Sequence, residues 1–165
     1  MPGFEIIGKE EKLELNSIFK NGSVLFRHGF EARRNGTYKV RQFENDFKNK
    51  FKSNYSLAVS SGTSALRVAL ATLDLKKNDE VITQAFTFVA TVEAIVEARA
   101  KPIITEIDET LNMDPNDLLK KITKKTKAVI VVHMLGVPAN LDKITKICRK
   151  KKICLIEDTA WGCGG

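Results

Sequence analysis

KAVIVVHMLGVPANLDKITKICRKKKICLIEDTA (127–160) decides the fold. Its opening, KAVIVVH (127–133), is the most β-branched run in the chain and suits a central strand. ANLDKITKICRKK then carries Leu141, Ile144 and Ile147 or Cys148 at helical spacing. ICLIE (153–157) returns to a short apolar run. Strand, helix and strand in succession make a crossover, and a crossover joins parallel strands.

The same alternation extends backwards from this unit. YSLAVS (55–60) reads as a strand, and SGTSALRVALATLDL follows with Leu66, Leu70 and Leu73 on one helical face. DEVIT (79–83) is the next strand, TVEAIVEARA (91–100) a helix and PIITEI (102–107) another strand. Asp114 is placed to cap a helix whose first position is Pro115. The fold class is therefore α/β, a mostly parallel sheet with helices on both faces. Residues 1–54 differ in character. EEKLELNSIFKNG predicts an amphipathic helix ended by Gly22, and TYKVRQFENDFKNKF another through Val40, Phe43 and Phe47. Between them, the basic and aromatic VLFRHGFEARRNG is a loop suited to contacting a substrate or partner. The expected organisation is an N-terminal arm with helices over 1–54 and an α/β part over 55–165.

A chain of 165 residues, 43% hydrophobic and 28% charged, can bury a real core. No apolar run approaches the ~20 residues that span a bilayer, and MPGFEIIGKEEK lacks a signal peptide's order, so no membrane is expected. Cys148, Cys154 and Cys163 lack metal-ligand spacing and suit a reducing cytoplasm. The formal charge of +7 raises the question of nucleic acid. Its lysines are scattered, however, from Lys120 to Lys127 and from Lys143 to Lys152, as on solvated helix faces, and no nucleic-acid partner is expected. CRKKK (148–152) falls at a predicted helix C-terminus, where cations complement the dipole.

Chemistry-bearing residues gather at predicted strand ends. In SSGTSAL (60–66), Gly62 permits close backbone approach, the helix start offers unpaired N–H groups, and Thr63 and Ser64 add hydroxyls. That is a cradle for phosphate or carboxylate, or an ordinary N-cap. In QAFTFVAT (84–91), Phe86 and Phe88 alternate with threonines, so one ring can face a ligand, unless both are core. Asp158 ends the last strand. A carboxylate buried there needs a cation or a protonated nitrogen, while Glu157 falls on the opposite face. His133 reads first as a satisfied core histidine. Cradle, aromatic and aspartate together suit a planar, phosphorylated, nitrogen-containing ring. Pyridoxal phosphate answers that description.

SSGTSALRVAL, DEVITQAFTFVATVEAI, KPIITEID, VHMLGVPANLDKI and LIEDTA resemble, in order and spacing, the DegT/DnrJ/EryC1/StrS family of pyridoxal-phosphate-dependent sugar aminotransferases. The resemblance implies the large domain of a type I aminotransferase, working as a homodimer. It implies that Gly62, Thr63 and Ser64 hold the cofactor phosphate, that Phe88 stacks on the pyridine ring and that Asp158 pairs with the ring nitrogen. Trp161 stands where the family usually has Gln or His, and offers a second aromatic wall. The family's Schiff-base lysine lies beyond Gly165, so no lysine here is nominated as catalytic. The chain is accordingly expected to be an incomplete large domain with an unpaired sheet edge and, alone, no transaminase activity.

Within the family, MPGFEIIG, the RHGF and RRNGTYKVR segments, EIDETL and VHMLG resemble enzymes that aminate an eight-carbon acid sugar. Their product is 8-amino-3,8-dideoxy-manno-octulosonate for lipopolysaccharide. Arg27, Arg33 and Arg34 would suit such an acid, with glutamate as amino donor. A nucleotide-linked keto-hexose is the alternative substrate, and a non-catalytic ligand-binding remnant the alternative role.

Overall fold

The computed structural model describes residues 4–164, so Met1 to Gly3 of the opening MPGFEIIG, and Gly165, lie outside the described residues. The chain divides between Ala58 and Val59 into two compact units.

The first unit carries α1 (Lys9–Lys20), the short α2 (Glu31–Arg34) and α3 (Lys39–Phe51). Gly22 follows α1 at φ +94°, and a Cβ there would lie 1.8 Å from the carbonyl oxygen of Arg33. Only glycine fits that approach. VLFRHGFEARRNG is mainly a loop, as its sequence suggests, with α2 inside it. The loop is tied internally by Arg34, which is buried. Its Nε donates to the carbonyl of Gly29 at 2.6 Å, and Nη2 donates to the carbonyls of Phe26 and His28. Arg34 is therefore occupied as a loop clamp. Arg27 donates to the Glu44 carboxylate at 2.5 Å, which leaves Arg33 as the exposed member of the three. The aromatic face of α3 is exposed, with the Phe47 and Phe51 ring centroids 4.4 Å apart.

The second unit is the α/β part. β1 (Glu80–Gln84), β2 (Lys101–Thr105), β3 (Thr126–Val132) and β4 (Cys154–Asp158) are parallel in the order β2-β1-β3-β4. α4 (Gly62–Ala71) and α5 (Val89–Glu97) cover one face. Leu66, Leu70, Ala94 and Ile95 pack there on Val81, Ala128, Ile130 and Val132. α6 (Pro115–Lys121) and α7 (Leu141–Lys151) cover the other, with Leu118, Ile144 and Cys148 on Ile82, Val129 and Val131. Burial on both faces explains why KAVIVVH is apolar without alternation. Burial also pushes the Cys148 thiol up to about 11, so it is inert at neutral pH. Asp114 caps α6 by accepting from the Asn116 N–H at 2.8 Å, as its position ahead of Pro115 predicts. Arg149, Lys150 and Lys151 occupy the last turn of α7.

One expectation is corrected. YSLAVS forms no strand; the Ala58 N–H donates to the Glu44 carboxylate at 2.8 Å instead of to a neighbouring strand. KAVIVVH keeps a strand on either side and helices on both faces, so the unpaired edges among the described residues are those of β2 and β4.

Glu44 is buried, and the Ala58 N–H and then Arg27 hold its carboxyl below its ordinary value of 4.5. The unfolded chain thus takes up this proton first as pH falls. The stability it contributes is full above pH 4.5 and is lost as pH drops through the folded value. Glu44→Gln is expected to lower stability at neutral pH and to flatten the acid limb of a denaturation profile. An unchanged acid limb would show that the pair is energetically idle.

Candidate functional site

Because every strand is parallel, the residues that end them lie at one edge of the sheet. α4 begins on the same side, after an extended Ser61 (φ −163°, ψ 164°) whose hydroxyl accepts from the Ser64 N–H at 3.1 Å. Ser64 Oγ is in turn 3.1 Å from Ser60 Oγ and 3.0 Å from Ser61 Oγ. The cap is therefore Ser61. Thr63 and Ser64 sit half-buried just inside it. Gly62 is required neither by its φ nor by its neighbours, since a Cβ added there would meet nothing within 4 Å. Its backbone stands open.

That open backbone faces a cleft of about 430 Å³ lined by Gly62, Ala65, Leu66 and Ala69 of α4 and by the stretch from Ile156 to Ala160, with Cys163. Ala65 and Ala69 make the α4 wall low. Asp158 lines the other side. Its Oδ1 accepts from the Ala160 N–H at 3.1 Å, and Oδ2 makes no hydrogen bond among the described residues. The carboxylate is half-buried where the sequence predicts full burial, because β4 is an edge strand open to the cleft. It therefore keeps part of its hydration, and its desolvation cost is smaller. Glu157 is exposed on the other face, as alternation requires.

The aromatics stand apart from the cleft lining. Phe88 is the N-cap residue of α5 and is 68% exposed; Phe86 is 38% exposed, so neither is core. Trp161 is 49% exposed in the turn after β4, and its carbonyl oxygen would lie 3.3 Å from a Cβ on Gly136. Among the described residues no cluster of His, Cys, Asp or Glu could hold a metal ion. No described helix is long and apolar enough to cross a membrane.

Residues 14–165 match the model of the DegT/DnrJ/EryC1/StrS aminotransferase family. The chain belongs to this family. It is 37% identical over 158 residues to GDP-perosamine synthase of Vibrio cholerae, covering 95% of this chain and 40% of that protein. The aminotransferase of Psychrobacter cryohalolentis superposes with a TM-score of 0.85 at 31% identity, over 96% of this chain and 38% of that one. Escherichia coli GDP-4-keto-6-deoxy-D-mannose-3-dehydratase, solved with bound hydrated pyridoxal phosphate, gives a TM-score of 0.79 at 32% identity, over 93% and 39%. The chain spans between 29% and 40% of the length of these curated relatives. The parallel sheet with helices on both faces is the fold of these family members, in part.

Sequence reading passed over Ser61, whose place just before a helical pattern is the usual signal of an N-cap. It also passed over Ala65, Ala69 and Cys163, which become cleft walls only through long-range packing. For this family member, Ser61→Ala is expected to cost about 1 kcal/mol in urea denaturation, the usual loss for an N-cap hydroxyl. No change would mean that Ser60 or Thr63 takes over the cap.

Proposed function

We propose that this chain supplies the cofactor-holding part of a pyridoxal-phosphate-dependent aminotransferase that moves an amino group, with glutamate as donor, to a keto sugar. The observation that carries the reading is the shared cleft: the start of α4 and the Asp158 carboxylate face the same space. The residues present fit the cofactor on two counts. Gly62 leaves an open backbone at a helix N-terminus, where an anion is stabilised by N–H groups and the dipole. Asp158 lines the same space as Ala65 and Ala69, and its Oδ2 makes no hydrogen bond among the described residues.

Each residue then has a task. The N–H groups of Gly62 and Thr63 bind the phosphate, and the Thr63 and Ser64 hydroxyls add donors. Asp158 holds a proton on the ring nitrogen, since a carboxylate beside it favours the charged form. Phe88 and Trp161, both exposed and outside the cleft lining of the free chain, are proposed to meet the ring of the bound cofactor. When bound, pyridoxal phosphate supplies an electron sink for removal of a proton from carbon. No lysine of this chain is assigned the covalent role. Homodimeric assembly, a cytoplasmic setting and a place in lipopolysaccharide or other surface polysaccharide synthesis belong to the same proposal.

For the substrate we favour the eight-carbon acidic keto sugar that yields 8-amino-3,8-dideoxy-manno-octulosonate, on the likeness of the RHGF, RRNGTYKVR and VHMLG segments and on the exposed basic Arg33. A GDP-linked keto-hexose is the second reading, favoured by the likeness to the GDP-perosamine synthases of Vibrio cholerae and Escherichia coli O157:H7.

Two variants test the site. Gly62→Ala, with room for its Cβ in the free chain, is expected to leave the melting temperature unchanged and to weaken cofactor binding about tenfold, some 1.4 kcal/mol. Asp158→Asn, in the protein assayed at full length with glutamate and keto sugar, is expected to lower kcat by about a hundredfold or more, while the phosphate contacts retain the cofactor. Unchanged kcat would remove Asp158 as the ring partner.

A further inference from the structure

Parallel strands also bring their starts to one edge, opposite the edge where β4 ends at Asp158. KITKKTK (121–127) leads into β3 and CRKKK (148–152) leads into β4. The two runs lie far apart in the sequence, but β3 and β4 are neighbours, so they arrive side by side. Both line a cleft of about 430 Å³, whose walls are Ile122, Thr123, Lys124, Thr126, Lys151 and Ile153.

The turn that presents Lys124 is held from both ends. The Thr123 N–H donates to Thr126 Oγ1 at 2.9 Å, and Thr123 Oγ1 accepts from the Lys125 N–H at 3.0 Å. On the other side, the N–H of Ile153 donates to the Cys148 carbonyl at 2.9 Å and fixes the end of α7 beside Lys151.

Nearby carboxylates are committed elsewhere. Asp79 lies 3.9 Å from Lys127 and accepts from the Lys76 N–H at 2.8 Å. Glu80 is buried and accepts from the Thr123 hydroxyl at 2.5 Å, and Asp117 pairs with Lys121 at 3.1 Å. Among the described residues, the exposed Lys124, Lys125, Lys151 and Lys152 make no ion pair. α6 and α7 end at this edge, and each helix end contributes about half a negative charge. With Glu80, they offset about two of these four lysines, so the cleft stays positive.

We propose that this cleft binds an anion carrying two or more phosphoryl groups, at a site separate from the Gly62 and Asp158 cleft. Lysine ammonium groups bind phosphate as point charges on flexible stems. Because Lys124 and Lys151 come from different segments, linked phosphates engage both where one phosphate engages either. The proposal does not rest on the cofactor reading.

The test is an amide NMR titration of the labelled full chain with tripolyphosphate and, separately, with inorganic phosphate. Tripolyphosphate is expected to shift the amides of Lys124, Lys125, Lys151 and Lys152 at one affinity, about tenfold or more tighter than phosphate. Added salt should weaken it, as for exposed charges. Lys124→Gln combined with Lys151→Gln should weaken binding at these amides by about tenfold. Lys143→Gln combined with Lys146→Gln removes the same charge from the exposed face of α7 and should change it by less than about twofold. Equal losses in the two double variants, unmoved amides at this edge, or no preference for tripolyphosphate would overturn the proposal. Shifts at Gly62, Thr63 and Ser64 report the other cleft and are read apart from these. Sedimentation with phosphatidate vesicles, lost in the first double variant, would assign the phosphates to a lipid surface. A chain left in the supernatant would assign them to a soluble oligophosphate, and either result upholds the site.

Discussion

The register of β3 against β4 governs the carboxyl edge of this sheet. Val131 is opposite Glu157 and Val132 opposite Asp158, and the ladder ends with the bond from the His133 N–H to the Asp158 carbonyl. Side chains alternate along a strand, so a slip of one residue would turn the Asp158 side chain away from α4 and bring the Glu157 side chain to that face. The core prevents the slip. Leu155 packs with Val129, Val131 and Cys148 on one face, and Ile156 with Ile130 and Leu66 on the other. Apolar packing thus determines which of two adjacent carboxylates lies on the α4 face.

The same edge carries a demand for polar satisfaction. Beyond the ladder, backbone groups need partners, and three buried side chains supply them. Gln84 accepts from the Val132 N–H at 3.1 Å and donates to the Phe86 carbonyl, tying the end of β1 to the end of β3. Asn112 and His133 hold the loop that follows. A buried donor left unpaired costs about 1–3 kcal/mol, so these contacts hold the loops in one arrangement. Among the described residues, the groups left open at this edge include the Gly62 backbone, Asp158 Oδ2 and the buried Thr83 hydroxyl. Gly62 and Asp158 share a cleft whose other walls include Ala65, Leu66, Ala69 and Ile156.

Local rules were legible in the sequence and non-local ones were not. KAVIVVH, the Asp114–Pro115 start of α6 and the α7 face of Ile144 and Cys148 follow from composition and period. YSLAVS alternates like a strand yet forms none, because pairing depends on a neighbour that alternation does not reveal. The face of Asp158 could be read by counting along β4, whereas its half-burial depends on β4 lying at an edge. Arg34 read as a free cation for an acidic substrate, and the loop carbonyls that saturate it come from residues whose approach only folding brings about. His133 was legible as a satisfied core histidine but not as a link between the loop after β3 and the end of β4.

The central claim is that the start of α4 and the end of β4 form one site for a phosphorylated pyridine. Amide NMR of the labelled chain, titrated with pyridoxamine phosphate and separately with inorganic phosphate, tests it most directly. Pyridoxamine phosphate is expected to shift the amides of Gly62, Thr63 and Ser64 together with those of Thr159 and Ala160, at one common affinity. Inorganic phosphate should shift the first group alone. Perturbations confined to the α4 amides with both ligands, or lying outside both segments, would contradict the account.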